Sequence, residues 1–324
     1  MSKILLTGGS GFIGENLIEI FNKEDSTIEL VNIDIKPNNS NFQCQWIKCD
    51  IQDFSELKYH IEKNKPDYII NLAAKTDCGP DNKLEDYKVN IEGAKNVFDS
   101  ANEISGLKGL IHISTQFVNQ TDFPLEDYLN YKPHTIYGKS KVLSEKILIN
   151  GAYKFNWVIL RPTNVWGKWH PRYSKEFWKV LNSGKYIHPH RPGVIRSYGY
   201  VGNVCHQILF FLNNVALKKI SGDIFYVGDQ PLELYNWVNE FSLKLRGKKV
   251  RTVPPIMVYF IAFVGSLLKK LNISFPITIS RYRSMTQSNP APMEKTIKLV
   301  GKPKYSLTDG VKITVDWLKR EIFD

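Results

Sequence analysis

The feature that most constrains this 324-residue chain lies at its start, in Lys3-Ile-Leu-Leu-Thr-Gly-Gly-Ser-Gly-Phe-Ile-Gly14. Lys3 to Leu6 reads as a buried parallel strand. Gly8, Gly11 and Gly14 follow at three-residue spacing, and Glu15 to Phe21 then takes up a helical apolar rhythm. A strand that passes through a glycine turn into a helix N-terminus is suited to hold a pyrophosphate. Backbone N–H groups point at the anion, the helix dipole favours negative charge, and missing side chains let the backbone come close. Glycine spacing alone is weak evidence; the strand before it and the helix after it give it meaning.

The next strand, Ile28 to Ile33, ends at Asp34. An acid about 20 residues past such glycines hydrogen-bonds an adenosine ribose. Ile35-Lys36-Pro37 bring no arginine directly after it, so NAD is expected over NADP. Cys44 to Lys48 reads as a third strand leading to Asp50-Ile51, and Phe54 to Lys63 as a helix closed by Pro66. Tyr68 to Leu72, a fourth strand, runs into Ala73-Ala74, small residues against which a cofactor can lie. Leu84 to Ala101 keeps a helical period throughout. Gly109 to Ser114 is a fifth strand, followed by a loop with Phe123-Pro124 and Lys132-Pro133. A helix is expected from Thr135 to Ile149 and a sixth strand from Asn156 to Leu160. This alternation predicts an α/β fold, a doubly wound parallel sheet whose ligands bind at the carboxyl ends of the strands.

Beyond Arg161-Pro162 the alternation weakens. Helices are expected over Tyr173 to Leu181, Asn203 to Asn213 and Glu233 to Leu245, with strands at Asp223 to Val227 and Val250 to Val253. Ser306 opens a last helix through a capping box, running to Ile322. The expected division is a dinucleotide-binding domain over 1–165, to which 194–230 returns, and a smaller α/β substrate domain made mainly of 166–324.

Tyr137 and Lys141, four apart on a predicted helix, project from one face. A tyrosine ionises near pH ~10 and is a poor base at neutral pH. A lysine ammonium beside it favours the phenolate and lowers that pKa. The pair can then take a proton from a sugar hydroxyl as hydride leaves the carbon. Thr115, just past the fifth strand, offers a hydroxyl to position the same oxygen. Alone, such a Tyr/Lys pair is ordinarily a solvated helix face; the glycine loop, Asp34 and Ser114-Thr115 change that reading.

Taken together, Thr7 to Gly14, Asp34, Asp50-Ile51, Asn71 to Ala74, Tyr87 to Asn90, Ser114-Thr115, Tyr137 to Lys141 and Arg161-Pro162-Thr163-Asn164 follow one known order. The chain resembles the extended short-chain dehydrogenase/reductase family, in its NAD-dependent sugar epimerase/dehydratase branch, over nearly its whole length. The resemblance implies a Rossmann domain with bound NAD, a smaller substrate domain and homodimers built on two long helices. It implies Thr115, Tyr137 and Lys141 as the catalytic trio. Gly8, Gly11, Phe12, Ile13, Gly14, Asp34, Asp50, Ile51, Leu72, Ala73, Ala74, Asn90, Tyr137, Lys141 and Pro162 are then the cofactor-binding positions. Lys75, Thr115, Asn164 and Arg196 would meet the substrate, Asn164 and Arg196 at its diphosphate.

Departures from the family pattern prune the reactions. The 4,6-dehydratases follow the catalytic Thr with Asp-Glu, whereas here Gln116-Phe117 stand there and neither can exchange a proton. The loop cysteine of the reductases that also epimerise at C3 and C5 is absent too. The reading is NAD-dependent C4 epimerisation of a nucleotide sugar for surface polysaccharide biosynthesis. A 4-ketoreductase using external NAD(P)H and an epimerase acting on a polyprenyl-diphosphate sugar are the alternatives. His170 is read as a structural or surface histidine. Trp166, Trp169 and Trp178 suit an aromatic wall near the substrate or a packed core equally well.

Charge bears on the partner. Of a net +11, the stretch from Phe241 to Lys304 holds thirteen Lys or Arg against one acid, Glu294, so the rest is close to neutral. Such a region implies an anionic partner, and with no recognised nucleic-acid module, nucleic acid is not expected. Pro254 to Leu268 is uncharged and strongly apolar, followed by Lys269-Lys270. It is too short to span a bilayer, and 254–270 reads either as a helix at an anionic membrane interface or as one packed under the second domain. Met1-Ser2-Lys3 enters the first strand at once, so no signal peptide is expected. Cys44, Cys49, Cys78 and Cys205 lack metal-ligand spacing; they suit small core residues in a reducing cytoplasm, and no metal is expected. A cytoplasmic protein follows, with contact at the inner face of the membrane left open.

Overall fold

The computed structural model describes the chain apart from residues 1, 26, 40, 80, 120–126, 172, 174–176, 217–219, 272, 274, 276 and 324. Strands β1 (Lys3–Thr7), β2 (Glu29–Asp34), β3 (Gln45–Lys48), β4 (Tyr68–Asn71), β5 (Gly109–Ile113), β6 (Trp157–Pro162) and β7 (Asp223–Val227) form one sheet. Their order is β7-β6-β5-β4-β1-β2-β3, with every neighbouring pair parallel. The expected doubly wound parallel sheet is what forms. Strand order reverses between β1 and β4, the place where such sheets bind ligands.

The helices are α1 (Phe12–Glu24), α2 (Phe54–Asn64), α3 (Ala94–Asn102), α4 (Ile136–Asn150), α5 (Phe177–Asn182), α6 (Val201–Val215), α7 (Leu234–Arg246), α8 (Pro255–Lys270), α9 (Ile279–Thr286), α10 (Glu294–Val300) and α11 (Leu307–Leu318). Leu57 and Ile61 of α2, Val97 and Phe98 of α3 and Leu148 of α4 join Leu5, Val31, Ile69 and Ile159 of the sheet in one buried cluster. Against β5, α6 packs so tightly that a Cβ on Gly109 would lie 2.4 Å from Val215 Cγ1. The strands are thus covered on both faces, which is why they read as near-continuous apolar runs.

The helical period from Leu84 to Ala101 does not yield one helix. A 3-10 turn at Leu84–Tyr87 and a π segment at Val89–Gly93 precede α3. Tertiary hydrogen bonds explain the break: Tyr87 Oη donates to Asp77 O (2.6 Å), and the Asn90 side chain is drawn inward to bond elsewhere. Phe123-Pro124 and the middle of the helix expected from Tyr173 lie outside the described residues. Helix α5 is seen from Phe177. Cys49 and Cys205 are buried as expected of core residues, whereas Cys78 is exposed and Cys44 half-buried.

Two compact units divide the chain: residues 1–165, 201–228 and 292–304 in the first, 166–200, 229–291 and 305–324 in the second. The first therefore also takes in 292–304, a return the sequence does not announce. Within it, α10 lies beside β7, where Thr296 Oγ1 donates to Tyr226 O (2.5 Å) and Lys295 Nζ sits 3.2 Å from Asp223. The second unit is held by an aromatic core. Tyr198 stacks on Trp237 at 4.2 Å between centroids, and Phe241 packs against Trp166 and Trp178. Trp166 and Trp178 are wholly buried, so they are core residues and no substrate-facing wall.

Candidate active site

The glycine loop is shaped by close backbone approach. Gly8 has φ +72°, and a Cβ there would lie 2.5 Å from Ala73 Cα, so the exits of β1 and β4 meet backbone to backbone. Only glycine allows both the conformation and the contact. A Cβ on Gly14 would lie 2.3 Å from Gly9 O. Gly9 N donates to Asn32 Oδ1 (2.8 Å), Ser10 N to Asp34 Oδ2 (3.1 Å) and Lys36 N to Asp34 Oδ1 (3.0 Å), which tie the loop to the end of β2. Gly11 is the exposed N-cap of α1 and brings no capping side chain; a Cβ there would meet only Gly8 O, at 3.2 Å.

These residues fit a dinucleotide. The uncapped N-terminus of a 13-residue helix, reached past a bare glycine, suits a pyrophosphate. Asp34 is half-buried, and each carboxylate oxygen accepts one backbone N–H and keeps a lone pair for a ribose hydroxyl.

Around this loop the other expected cofactor positions fall as follows. Phe12 and Ile13 are half-buried in the first turn of α1. Exposed Asp50 follows β3, and buried Ile51 lies under Gly93, whose Cβ would come 2.8 Å from Ile51 Cδ1. Leu72, Ala73 and Ala74 leave β4 half-buried, with Leu72 N donating to Thr7 O (2.9 Å). Pro162 closes β6, buried. Asn90 is wholly buried, and its amide clasps Lys75 N (2.8 Å), Lys75 O (3.0 Å) and Ser140 Oγ (2.9 Å). Its side chain thereby pins the β4 exit to α4.

Helix α4 carries Tyr137 and Lys141. Thr135 caps it by accepting from Gly138 N (2.9 Å), and a Cβ on Gly138 would lie 2.2 Å from Phe117 O. The first turn of α4 is thus pressed onto the turn after β5, where Thr115 sits. Tyr137 lies between the rings of Tyr87 and Phe117, each 6.3 Å away. Burial pushes its phenol above the ordinary tyrosine range, and the Thr115 hydroxyl pulls partly back. Lys141 is not among the groups that shift it, so the lowering expected from the lysine is not what the structure gives. Burial brings the Lys141 ammonium down to about 8, with the Glu145 carboxylate pulling the other way. Lys141 therefore holds or yields its proton near neutrality.

Two buried networks support this helix, and the sequence reading missed both. Thr7 Oγ1 donates to Asn71 Oδ1 (2.6 Å), Asn71 Nδ2 bonds His112 Nδ1 (3.1 Å), His112 Nε2 bonds Ser144 Oγ (3.0 Å), and Ser144 Oγ donates to Lys141 O (2.9 Å). The directions close only for a neutral imidazole carrying its proton on Nε2. Burial, with the Lys141 charge adding, holds the His112 pKa well below the usual value. In the second network Arg161 grips Glu145 with Nε (3.0 Å) and Nη2 (2.6 Å), both side chains wholly buried. Tyr131 Oη (2.8 Å) and Ser114 Oγ also donate to Glu145. The available signal was Glu145 one turn beyond Lys141, together with an arginine inside an apolar strand.

Gln116 follows Thr115 and is buried, with neither amide atom hydrogen-bonded. Lys75 Nζ is 3.6 Å from Asp77 and 5.1 Å from the Tyr87 ring centre. Asn164 is half-buried two residues past Pro162. Arg196 belongs to the second unit, where Nη1 donates to Gln287 O (3.2 Å) and Nε is buried without a hydrogen bond. His170 stacks on Tyr173 (4.2 Å) and accepts from its backbone N–H (3.0 Å). Among the described residues, no three His, Cys, Asp or Glu side chains gather where a metal could be held.

Residues 4–228 match the family described as the NAD dependent epimerase/dehydratase family. Over 99% of both chains the sequence is 24% identical to a decarboxylating sterol-4-alpha-carboxylate 3-dehydrogenase of Candida albicans. It is also 24% identical to the dTDP-D-glucose 4,6-dehydratase of Mus musculus, covering 98% of this chain and 89% of that one. In fold it is similar to the UDP-glucuronic acid 4-epimerase of Bacillus cereus, solved with UDP-glucuronic acid and NAD. The TM-score is 0.73 at 21% identity, over 98% of this chain and 99% of that one.

Proposed function

The chain belongs to the NAD-dependent epimerase/dehydratase family, and we propose that within it this enzyme is a C4 epimerase of a nucleotide sugar. The observation that carries the reading is Gln116-Phe117 after Thr115, beside the buried Tyr137 and Lys141. Dehydration needs carboxyl groups there to move the C5 proton and the C6 hydroxyl, and an amide and a phenyl ring can do neither. What remains is chemistry that a tyrosine, a lysine and a hydroxyl can perform.

Held by the glycine loop from Gly8 to Gly14 with its ribose on Asp34, NAD would supply a reversible hydride acceptor for the C4 carbon. Tyr137 takes the C4 hydroxyl proton on its phenolic oxygen and gives it back in the second half-reaction. Lys141 keeps positive charge one helical turn away, favouring the phenolate once the site fills. Thr115 orients the sugar oxygen toward Tyr137. The polar chain from Thr7 through His112 to Ser144 holds the Lys141 backbone in place. On this reading the first unit binds the cofactor, and Arg196 is assigned to the substrate diphosphate because a guanidinium can hold phosphate oxygens through two nitrogens.

The test is a screen of sugar nucleotides with purified protein and no added cofactor. Interconversion of C4 epimers, with NAD recovered from the denatured protein, is the expected result. A keto sugar consuming NAD(P)H one for one would instead support a 4-ketoreductase and overturn the proposal.

A further inference from the structure

In the second unit most aromatic side chains are packed inward, but α8 does the reverse. Its inward face is made of small residues. Val258 and Ala262 are wholly buried, and a Cβ on Gly265 would lie 2.0 Å from Ile277 O. Ser266 Oγ accepts from Ile279 N (2.9 Å), which fixes the returning chain against this same side. The large side chains face out. Ile256, Phe260, Phe263, Val264 and Leu267 form an exposed stripe at helical spacing, and Leu271 prolongs it; Phe260 is 62% exposed and Leu271 71%. A core-facing helix would bury its large apolar residues and leave the polar ones outside. An apolar patch on the order of several hundred Å² marks a surface that meets a partner.

Charge identifies the partner. From Phe241 to Ala291 there are nine Lys or Arg and no Asp or Glu. Arg251 precedes α8, Lys269 lies in its last turn, and Arg283 lies on α9, which packs on α8 through Tyr259 and Tyr282 (5.5 Å); all three cations are exposed. A second copy of this chain would place one acid-free cationic surface against another, which is electrostatically costly. An anionic bilayer satisfies both features, with acyl chains receiving the stripe and headgroups the cations. Sixteen residues are too few to cross, so the helix lies in the plane of the interface. No helix among the described residues is long and apolar enough to cross a membrane.

We propose that α8 is an interfacial helix that docks this protein on an anionic lipid surface, whichever reaction the first unit performs. The test uses the full chain with NAD bound. Vesicles of phosphatidylcholine alone are compared with an equal mixture of phosphatidylcholine and phosphatidylglycerol, by co-sedimentation at low and high salt. The protein is expected to sediment with the mixed vesicles at low salt, to be released by high salt, and to ignore phosphatidylcholine. Phe260→Ser/Phe263→Ser and Lys269→Gln/Lys270→Gln should each weaken binding by about tenfold or more. Unchanged circular dichroism and thermal melts report that the variants are folded. Absence of binding to mixed vesicles at low salt overturns the proposal, as does undiminished binding by either variant. A wild-type dimer that Phe260→Ser/Phe263→Ser converts to monomer would assign the face to a second copy and overturn it too. Turnover of free sugar nucleotide, measured without vesicles, reads the reaction separately.

Discussion

Breaking the Glu145–Arg161 pair should cost far more than its distance from the reacting atoms suggests. Both side chains are wholly buried, and the guanidinium holds the carboxylate through two nitrogens at 3.0 and 2.6 Å. Glu145→Gln keeps the shape but leaves a buried guanidinium without its counter-charge, a change that costs about 3–5 kcal/mol. Arg161→Met should cost a similar amount by stranding the carboxylate. The double variant Glu145→Gln/Arg161→Met removes both charges, so urea unfolding should show a coupling of about 2 kcal/mol or more between the sites. A second readout separates the site from general stability. Glu145 raises the Lys141 pKa against burial. Its loss therefore lets Lys141 deprotonate at lower pH, and the alkaline limb of the rate profile should move down. Additive single variants costing under about 1 kcal/mol each, or an unmoved alkaline limb, would refute the reasoning.

Tyr137→Phe should cut turnover by about 10²–10⁴-fold while NAD remains bound, as read from nucleotide released on denaturation. Gly8→Ala should lose NAD and stability together, since its Cβ would meet Ala73 Cα at 2.5 Å in a left-handed backbone; binding assays and thermal melts check this. His112 gives a pH dependence of definite sign. Its folded-state pKa is depressed, so its contribution is complete above the ordinary value of about 6.5 and is lost as pH falls below it. Wild type should therefore destabilise more steeply in acid than His112→Gln, by up to about 1.4 kcal/mol per pH unit.

Much of the first unit was legible because parallel strands buried on both faces announce themselves as short apolar runs between glycine turns. Residues at strand ends, such as Asp34 and Thr115, could be named for the same reason. What failed depended on contacts distant in sequence. The period from Leu84 to Ala101 looks like one helix, yet the bonds made by Tyr87 and Asn90 outweigh local preference. The phenol of Tyr137 was expected to be acidified by its lysine, but burial, invisible in the sequence, raises its pKa. Glu145 and Arg161, sixteen residues apart on α4 and β6, meet only through the tertiary fold. Trp166 and Trp178 fitted a substrate wall or a core equally well until their burial decided for the core.

The most direct test of the account is the fate of hydrogen at C4. A sugar nucleotide deuterated at C4, incubated with the enzyme and no added cofactor, should give the epimer with deuterium still at C4. Loss of the label to water, or formation of epimer only while added NAD(P)H is consumed, would contradict hydride recycling on a retained NAD.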